Sequence, residues 1–245
     1  MPGSGFFRIL DTVDSTNNYA MDMVHAGLAN HGMAWFANEQ TAGKGQRGKT
    51  WKTEKGKNIA MSLVLQPEQF NAGPQFYLSA AIALACFDFF SAYAGDETKI
   101  KWPNDLYWCD RKAGGILIEN IYHGKAWKWA VVGTGININQ TGFDATLQNP
   151  VSLKQITGKE FDAIALAKEL YEGLMQNISL LNTGRADEIL ERYNSSLYKK
   201  NEKVVLIEKG EKIETVIKAV SAEGRLITSG TTERAFDFGE VEWVL

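Results

Sequence analysis

The chain has 245 residues, 44% of them hydrophobic, with 26 Lys and Arg against 29 Asp and Glu. That is enough apolar side chain for one ordinary core and a small second unit, which excludes a fibrous or disordered polypeptide. The formal charge of −3 excludes the global basic balance of a dedicated nucleic-acid binder, so any anion recognition has to be local.

In chain order, "FFRILDTV" reads as a first strand. "DSTNNYAMDMVHAGLAN" reads as a helix capped by Asp14 or Ser15, with Ala20, Met23, Val24 and Leu28 on one face. "MAWFANEQ" and the alternating "NIAMSLVL" are strands, and the glycine-rich loop between them joins the two. "FYLSAAIALACFDFFSAY" is apolar on nearly every side and suits a central helix buried against a sheet. "TKIKW", "KAGGILIENIYH" and "KWAVVGTGININ" are three more strands, with "PND" and "GK" as turns. From 162 to 198 the pattern is helical, with Leu166, Leu170, Leu174, Ile178 and Leu181 as its apolar stripe. Beyond residue 198 short β-prone runs alternate with turns, at about the length of a five-strand barrel. The expected division is therefore 1–197 and 198–245.

Cys86 and Cys109 lack metal-ligand spacing and read as free thiols of a reducing compartment. The start "MPGSGFFRIL" lacks the form of a signal peptide, and no run approaches the roughly 20 apolar residues that span a bilayer. A soluble, cytoplasmic protein is expected.

Four stretches could carry chemistry. In "EQTAGKGQRGKTW" the glycines let backbone amides approach an anion, Lys44, Arg47 and Lys49 supply charge, and Trp51 offers a stacking face. The same loop could lie on nucleic acid or only turn the chain; its spacing is neither a Walker A motif nor a dinucleotide fingerprint. "KWPNDLYW" sets Lys101, Trp102, Asn104 and Asp105 around a proline turn, as a site or as an Asx turn. "DRKAGGILIE" places Lys112 at a strand start, where it is a surface lysine or a half-buried cation needing an anion. "VVGTGININ" ends an apolar strand with two glycines and Asn137, as a site wall or as bulge glycines.

Taken in order with "DSTN" at 14–17, these motifs resemble those of biotin protein ligases over essentially the whole chain. The resemblance implies an α+β fold: a mixed sheet packed with helices, of the class II aminoacyl-tRNA synthetase/biotin ligase type, followed by a small SH3-like β-barrel. It implies ATP and biotin as substrates with Mg2+, formation of biotinyl-5′-AMP, and transfer of biotin to a lysine of a carboxyl-carrier domain of acetyl-CoA carboxylase or a related enzyme. A lipoate or octanoate ligase or transferase of the same fold is the alternative.

By resemblance, Lys112, Asp105 and Arg47 are catalytic. Ser15, Thr16, Asn17, Gln40, Gly43, Lys44, Gly45, Gln46, Lys112, Gly115 and Gly133 would contact biotin. Lys44, Gln46, Arg47, Lys49, Trp51, Asn104, Lys112 and Asn137 would contact the adenylate, and Asn104 and Asp105 would share magnesium with phosphate oxygens. Two features depart from the family pattern: Lys44 and Gln46 replace arginines of a loop often written "GRGRRG", and only 13 residues precede "DSTN". The second leaves no room for a helix-turn-helix domain, so no operator binding is expected; the resemblance also admits a homodimer.

Overall fold

The computed structural model describes residues 6–69, 75–147 and 149–244, so the leader reading of "MPGSG" lies outside the described residues. A seven-stranded sheet is assembled from β1 (Phe7–Val13), β2 (Ala34–Gln40), β3 (Ile59–Leu65), β4 (Thr98–Lys101), β5 (Asp105–Trp108), β6 (Arg111–His123) and β7 (Ala126–Ile136), in the order β1-β2-β3-β7-β6-β5-β4. Only β1 and β2 run parallel; they are joined by the crossover helix α1 (Thr16–His25). The other neighbours are antiparallel, which makes the sheet mixed as expected.

The two-residue period of the strands separates the faces. Ile59, Met61, Leu63 and Leu65 of β3, with Val132 and Ile136 of β7, join the main core. That face is covered by α2 (Gln75–Ala94) and α4 (Ala163–Leu181), with α5 (Ala186–Ser195) and the single-turn α3 (Leu153–Thr157) packed against α2. Val64 and Val131, from the alternate positions, pack instead with Trp35 and with Ala20 and Val24 of α1. Ala60, Gly133, Gly135, Gly115 and Leu117 share this second face but line a cavity beside α1, while Ser62 of the same face is fully buried against Thr16 and Asn17.

Several sequence expectations shift. Helix α1 ends at His25, so Leu28 falls beyond it and is exposed. Ser15 rather than Asp14 is the N-cap residue, yet its side chain caps nothing; the orphan amide of Thr16 donates instead to Gln40 Oε1 at 2.8 Å. "DLYW" is a strand, β5, closing a hairpin on β4 around the cis Trp102–Pro103 bond. The expected helical run 162–198 breaks at Gly184 (φ 72°) into α4 and α5, although its apolar stripe is buried as expected. Helix α2, at 20 residues and mean hydropathy 1.5, does reach the length and composition of a bilayer span, contrary to the sequence reading; 61% of it is buried inside the fold. Its all-round apolarity is that of a core helix, each buried leucine worth about 1.5–3 kcal/mol.

After α5 the chain forms β8 (Lys203–Glu208), β9 (Glu211–Val220), β10 (Leu226–Ser229), β11 (Glu233–Phe236) and β12 (Val241–Trp243), an antiparallel sheet in the order β11-β10-β9-β8-β12, as befits a small SH3-like unit. Its inward residues Leu206, Ile217, Val220 and Phe236 are continuous with the main core. Trp102 Nε1 donates across to the Gly224 carbonyl at 2.9 Å, and the Asn194 amide pairs in both directions with the Val220 backbone.

Candidate functional site

The cavity, of about 860 Å³, is lined on one side by neutral hydrogen-bonding groups and on the other by cations. The neutral side is built where α1 begins. Gln40 Oε1 accepts from both the backbone and the hydroxyl of Thr16, and Ser62 Oγ lies 2.7 Å from Thr16 Oγ1 and 2.6 Å from Asn17 Oδ1. One hydroxyl proton serves one acceptor at a time, so Ser62 and Thr16 can re-aim their donors when a ligand supplies an acceptor. Asn17 Nδ2 donates to Glu119 Oε2 at 2.8 Å, which fixes which end of the amide faces Ser62. Gly133 permits this arrangement, because a Cβ there would meet Asn17 Oδ1 at 2.3 Å. Ser62 and Glu119 were not singled out in the sequence. The available signal was one hydroxyl in the otherwise apolar β3, and one carboxylate after the apolar run "ILI" of β6.

On the cationic side Lys112 Nζ and Asp105 Oδ1 are 2.6 Å apart, with both side chains only partly exposed. Gly115 leaves them room, its would-be Cβ falling 3.4 Å from Asp105 Oδ1 and 3.6 Å from Lys112 Nζ. Lys101, at the end of β4, also lines the cavity and is only 8% exposed. Its burial pushes the ammonium pKa down to about 8; Asp105 opposes the shift, while Lys112 and Lys49 add to it. The Asn137 amide donates to the carbonyls of Val151 and Lys112, which commits its donor to the backbone behind Lys112 and leaves Oδ1 as its remaining group. Asn104 Nδ2 likewise donates to the Ile116 carbonyl at 2.7 Å.

The glycine loop folds as a small hairpin over the cavity mouth, with Lys44 bridged to Thr50 and Trp51 N donating to the Gly43 carbonyl at 2.8 Å. Gly43 is not part of the cavity lining; a Cβ there would strike the Trp51 carbonyl at 2.3 Å and Gln40 Nε2 at 2.7 Å, so it serves the hairpin's closure and leaves room for Gln40. The Trp51 ring lies flat against Gly135, where a Cβ would come within 2.5 Å, and its Nε1 is buried without an acceptor. Gln46 Nε2 reaches the Ile116 carbonyl at 3.4 Å. Arg47, at φ 55°, sits over the ring of Phe238 at 5.7 Å, on the turn between β11 and β12. Apart from Gly43, every residue assigned by resemblance lines the one cavity: Ser15, Thr16, Asn17, Gln40, Lys44, Gly45, Gln46, Arg47, Lys49, Trp51, Asn104, Asp105, Lys112, Gly115, Gly133 and Asn137.

Among the described residues no three His, Cys, Asp or Glu side chains cluster. Asp105 is paired with Lys112 and the Asn104 amide is spent on Ile116, so the pair expected to share magnesium does not fit a protein-held metal site.

Residues 9–137 match the family described as "Biotin/lipoate A/B protein ligase family". The chain is 30% identical over 227 residues to the bifunctional ligase/repressor BirA of Escherichia coli, covering 91% of this chain and 69% of that protein. It is 36% identical over 161 residues to the biotin–[acetyl-CoA-carboxylase] ligase of Paracoccus denitrificans, covering 63% and 65%. Across the bifunctional ligase/repressor relatives it matches, it spans 50–69% of their length. Its fold superimposes on that of a biotin protein ligase from Aquifex aeolicus, solved in complex with biotin and ATP, with a TM-score of 0.83 at 23% identity over 97% of this chain and 98% of that one.

Proposed function

The chain belongs to the biotin/lipoate A/B protein ligase family, and on that premise we propose that it is an ATP-dependent biotin protein ligase. Biotin and ATP form biotinyl-5′-AMP and pyrophosphate, and a lysine of a carboxyl-carrier domain, as in acetyl-CoA carboxylase, then takes the biotinyl group and releases AMP. The observation that carries this reading is that a single sheet face joins a neutral pocket for an uncharged, two-donor, one-acceptor ring to a cluster of lysines.

Biotin's ureido ring is neutral, and Thr16, Gln40 and Asn17, held in part by the buried Ser62 hydroxyl, offer it donors and acceptors without charge. The same pairing disfavours lipoate, which would leave those buried groups unsatisfied. In the first half-reaction the biotin carboxylate oxygen attacks the α-phosphorus of ATP. Lys112 neutralises the charge that builds on the phosphoryl oxygens, acting in a partly dehydrated site where such donors count most. Trp51 supplies a face for adenine and an indole N–H with no protein acceptor; Asn137 lines the same cavity. The loop then covers the mixed anhydride and keeps water from it.

In the second half-reaction the acceptor amine attacks the biotinyl carbonyl. A lysine with an ordinary pKa near 10.4 is only about a thousandth neutral at pH 7. Once Lys112 turns to the phosphate, the Asp105 carboxylate is released to orient that ammonium and take its proton. A protein working on a carboxylase in a reducing, cytoplasmic setting accords with its two free thiols, one buried and one exposed.

The deciding experiment incubates purified protein with biotin, MgATP and a carboxyl-carrier domain and reads biotinylation by avidin blot; no labelling refutes the reading. Titration calorimetry of biotin against lipoate separates the two enzyme classes. Lys112→Ala should slow adenylate formation by about 10²–10³-fold with little change in Tm, because the side chain is partly exposed and contributes charge rather than packing. A folded variant with near-normal pyrophosphate release sinks that role.

A further inference from the structure

Glu119 is half-buried on β6, no Lys or Arg among the described residues forms an ion pair with it, and its hydrogen-bond partner is the amide of Asn17. It does not belong to the cavity lining. Strand pairing shows how the two side chains meet: Ser62, Gly133 and Leu117 form one row across β3, β7 and β6, and Glu119 lies in the next row, opposite Val131. Asn17, in the first turn of α1, lies over the bare Gly133 and so bridges from Ser62 on β3 to Glu119 on β6. Asn17 and Ser62 are both buried, and Thr16 and Asn17 carry this bridge to the cavity wall.

Counting protons gives the bridge a direction. A carboxylate accepts and cannot donate, so the Asn17 amide has to turn Nδ2 to Glu119, at 2.8 Å, and Oδ1 to Ser62, at 2.6 Å. Oδ1 also only accepts. The single Ser62 proton is therefore committed to Asn17, and the 2.7 Å contact between the Ser62 and Thr16 hydroxyls has to be made by the proton of Thr16. Gln40 Oε1 is farther from that hydroxyl, at 3.1 Å, and already takes the Thr16 backbone N–H at 2.8 Å. Thr16 thus keeps its proton on the protein and turns lone pairs to the cavity. Without the carboxylate the amide fits either way round. In the reversed arrangement Asn17 donates to Ser62, Ser62 donates to Thr16, and the Thr16 proton faces the cavity.

We propose that Glu119 is a positioning residue for the biotin site: acting through Asn17 and Ser62, it holds Thr16 as the acceptor of a ureido N–H without itself meeting the ligand. The assignment rests on the biotin-ligase reading above. The relay also defines what the pocket refuses. A ring that brings no N–H to Thr16, such as a dithiolane, leaves the lone pairs of a buried hydroxyl unpaired.

The test titrates the full chain with biotin in a calorimeter and measures the KM of each substrate in the adenylation assay. Glu119→Gln keeps the shape of the side chain but lets it donate or accept, so the relay loses its direction. The Kd and KM for biotin should rise about three- to tenfold, the difference between a charged and a neutral hydrogen bond, with Tm and the KM for ATP near wild type. Ser62→Ala, on the other side of Asn17, should weaken biotin to a similar degree. In the Ser62→Ala background Glu119→Gln should cost less than about twofold more, because the path is already cut. Losses that multiply would show that Glu119 acts by another route and overturn the relay. So would an unchanged biotin Kd in either single variant, or an equal rise in the KM for both substrates, which marks a general structural fault. Wild-type protein that takes up no biotin refutes the proposed function; wild-type protein that binds biotin, with variants that depart from these outcomes, overturns the relay alone.

Discussion

Gly133 and Gly173 show how differently two glycines of one chain behave. A Cβ at Gly133 would occupy the space of Asn17 Oδ1, so Gly133→Ala has to push Asn17 off Ser62 and Glu119. Biotin affinity should fall at least about tenfold, the order of one buried hydrogen bond left unmade, as read by calorimetry. Gly173 lies inside α4 with nothing within 4 Å of a would-be Cβ, and Gly173→Ala should add about 0.5–1 kcal/mol of stability in a denaturant titration without touching biotin binding. Lys101 yields a pH prediction. Its folded pKa of about 8 lies below the unfolded value of 10.5, so between them the unfolded chain binds more protons and stability rises with pH. The penalty of burying its charge is full below pH 8 and fades towards pH 10.5. Lys101→Met should therefore raise Tm most at neutral pH, the advantage shrinking in melts taken well above pH 8; an advantage independent of pH would contradict the burial argument.

The loop between β2 and β3 is held by three contacts of different kinds. Its base is the Gly43–Trp51 hairpin, its middle is Gln46 on the Ile116 carbonyl, and its tip is Arg47 on Phe238. Phe238 is itself 52% exposed and stacks edge-on against Trp102, so the lid rests on a ring shared with the proline turn. A half-exposed cation–π contact is worth about 0.5–1 kcal/mol. In Phe238→Ala, trypsin cleavage after Arg47 in substrate-free protein should quicken about two- to fivefold, in step with the larger open population. An unchanged cleavage rate would mean that the hairpin alone positions the tip.

The two sheets are joined by a continuous apolar core, by Trp102 on Gly224 and by the paired amide of Asn194. Such a junction predicts one cooperative unfolding transition, with tryptophan fluorescence and far-ultraviolet dichroism coincident in denaturant. Two separated transitions would show that the division expected near residue 198 is also an energetic boundary. The same junction brings Trp243 and Phe238 to the cavity, so the C-terminal sheet forms part of its wall.

How much of this was legible in the sequence depended on the range of the forces involved. Alternation in "NIAMSLVL", the all-round apolarity of α2 and the stripe from Leu166 to Leu181 are local periodicities, and they were enough to foresee a sheet under a buried helix; that its strands run in mixed directions was implied only by the family resemblance. The ordered motifs likewise foretold most of the cavity wall, because each glycine or lysine sits within a few residues of the turn or strand end that presents it. Strand β5, the break at Gly184 and the true end of α1 escaped, since four-residue strands and helix ends turn on a few hydrogen bonds that tertiary contacts readily override. Gly133 and Gly135 could be read as bulges until the sheet showed Asn17 and Trp51 occupying the space they leave. Ser62, Glu119, Lys101 and Trp243 acquire their meaning from partners 45 to 142 positions away, through strand register and sheet packing that no local pattern encodes: Ser62 with Asn17, Glu119 with Asn17, and Lys101 with Trp243.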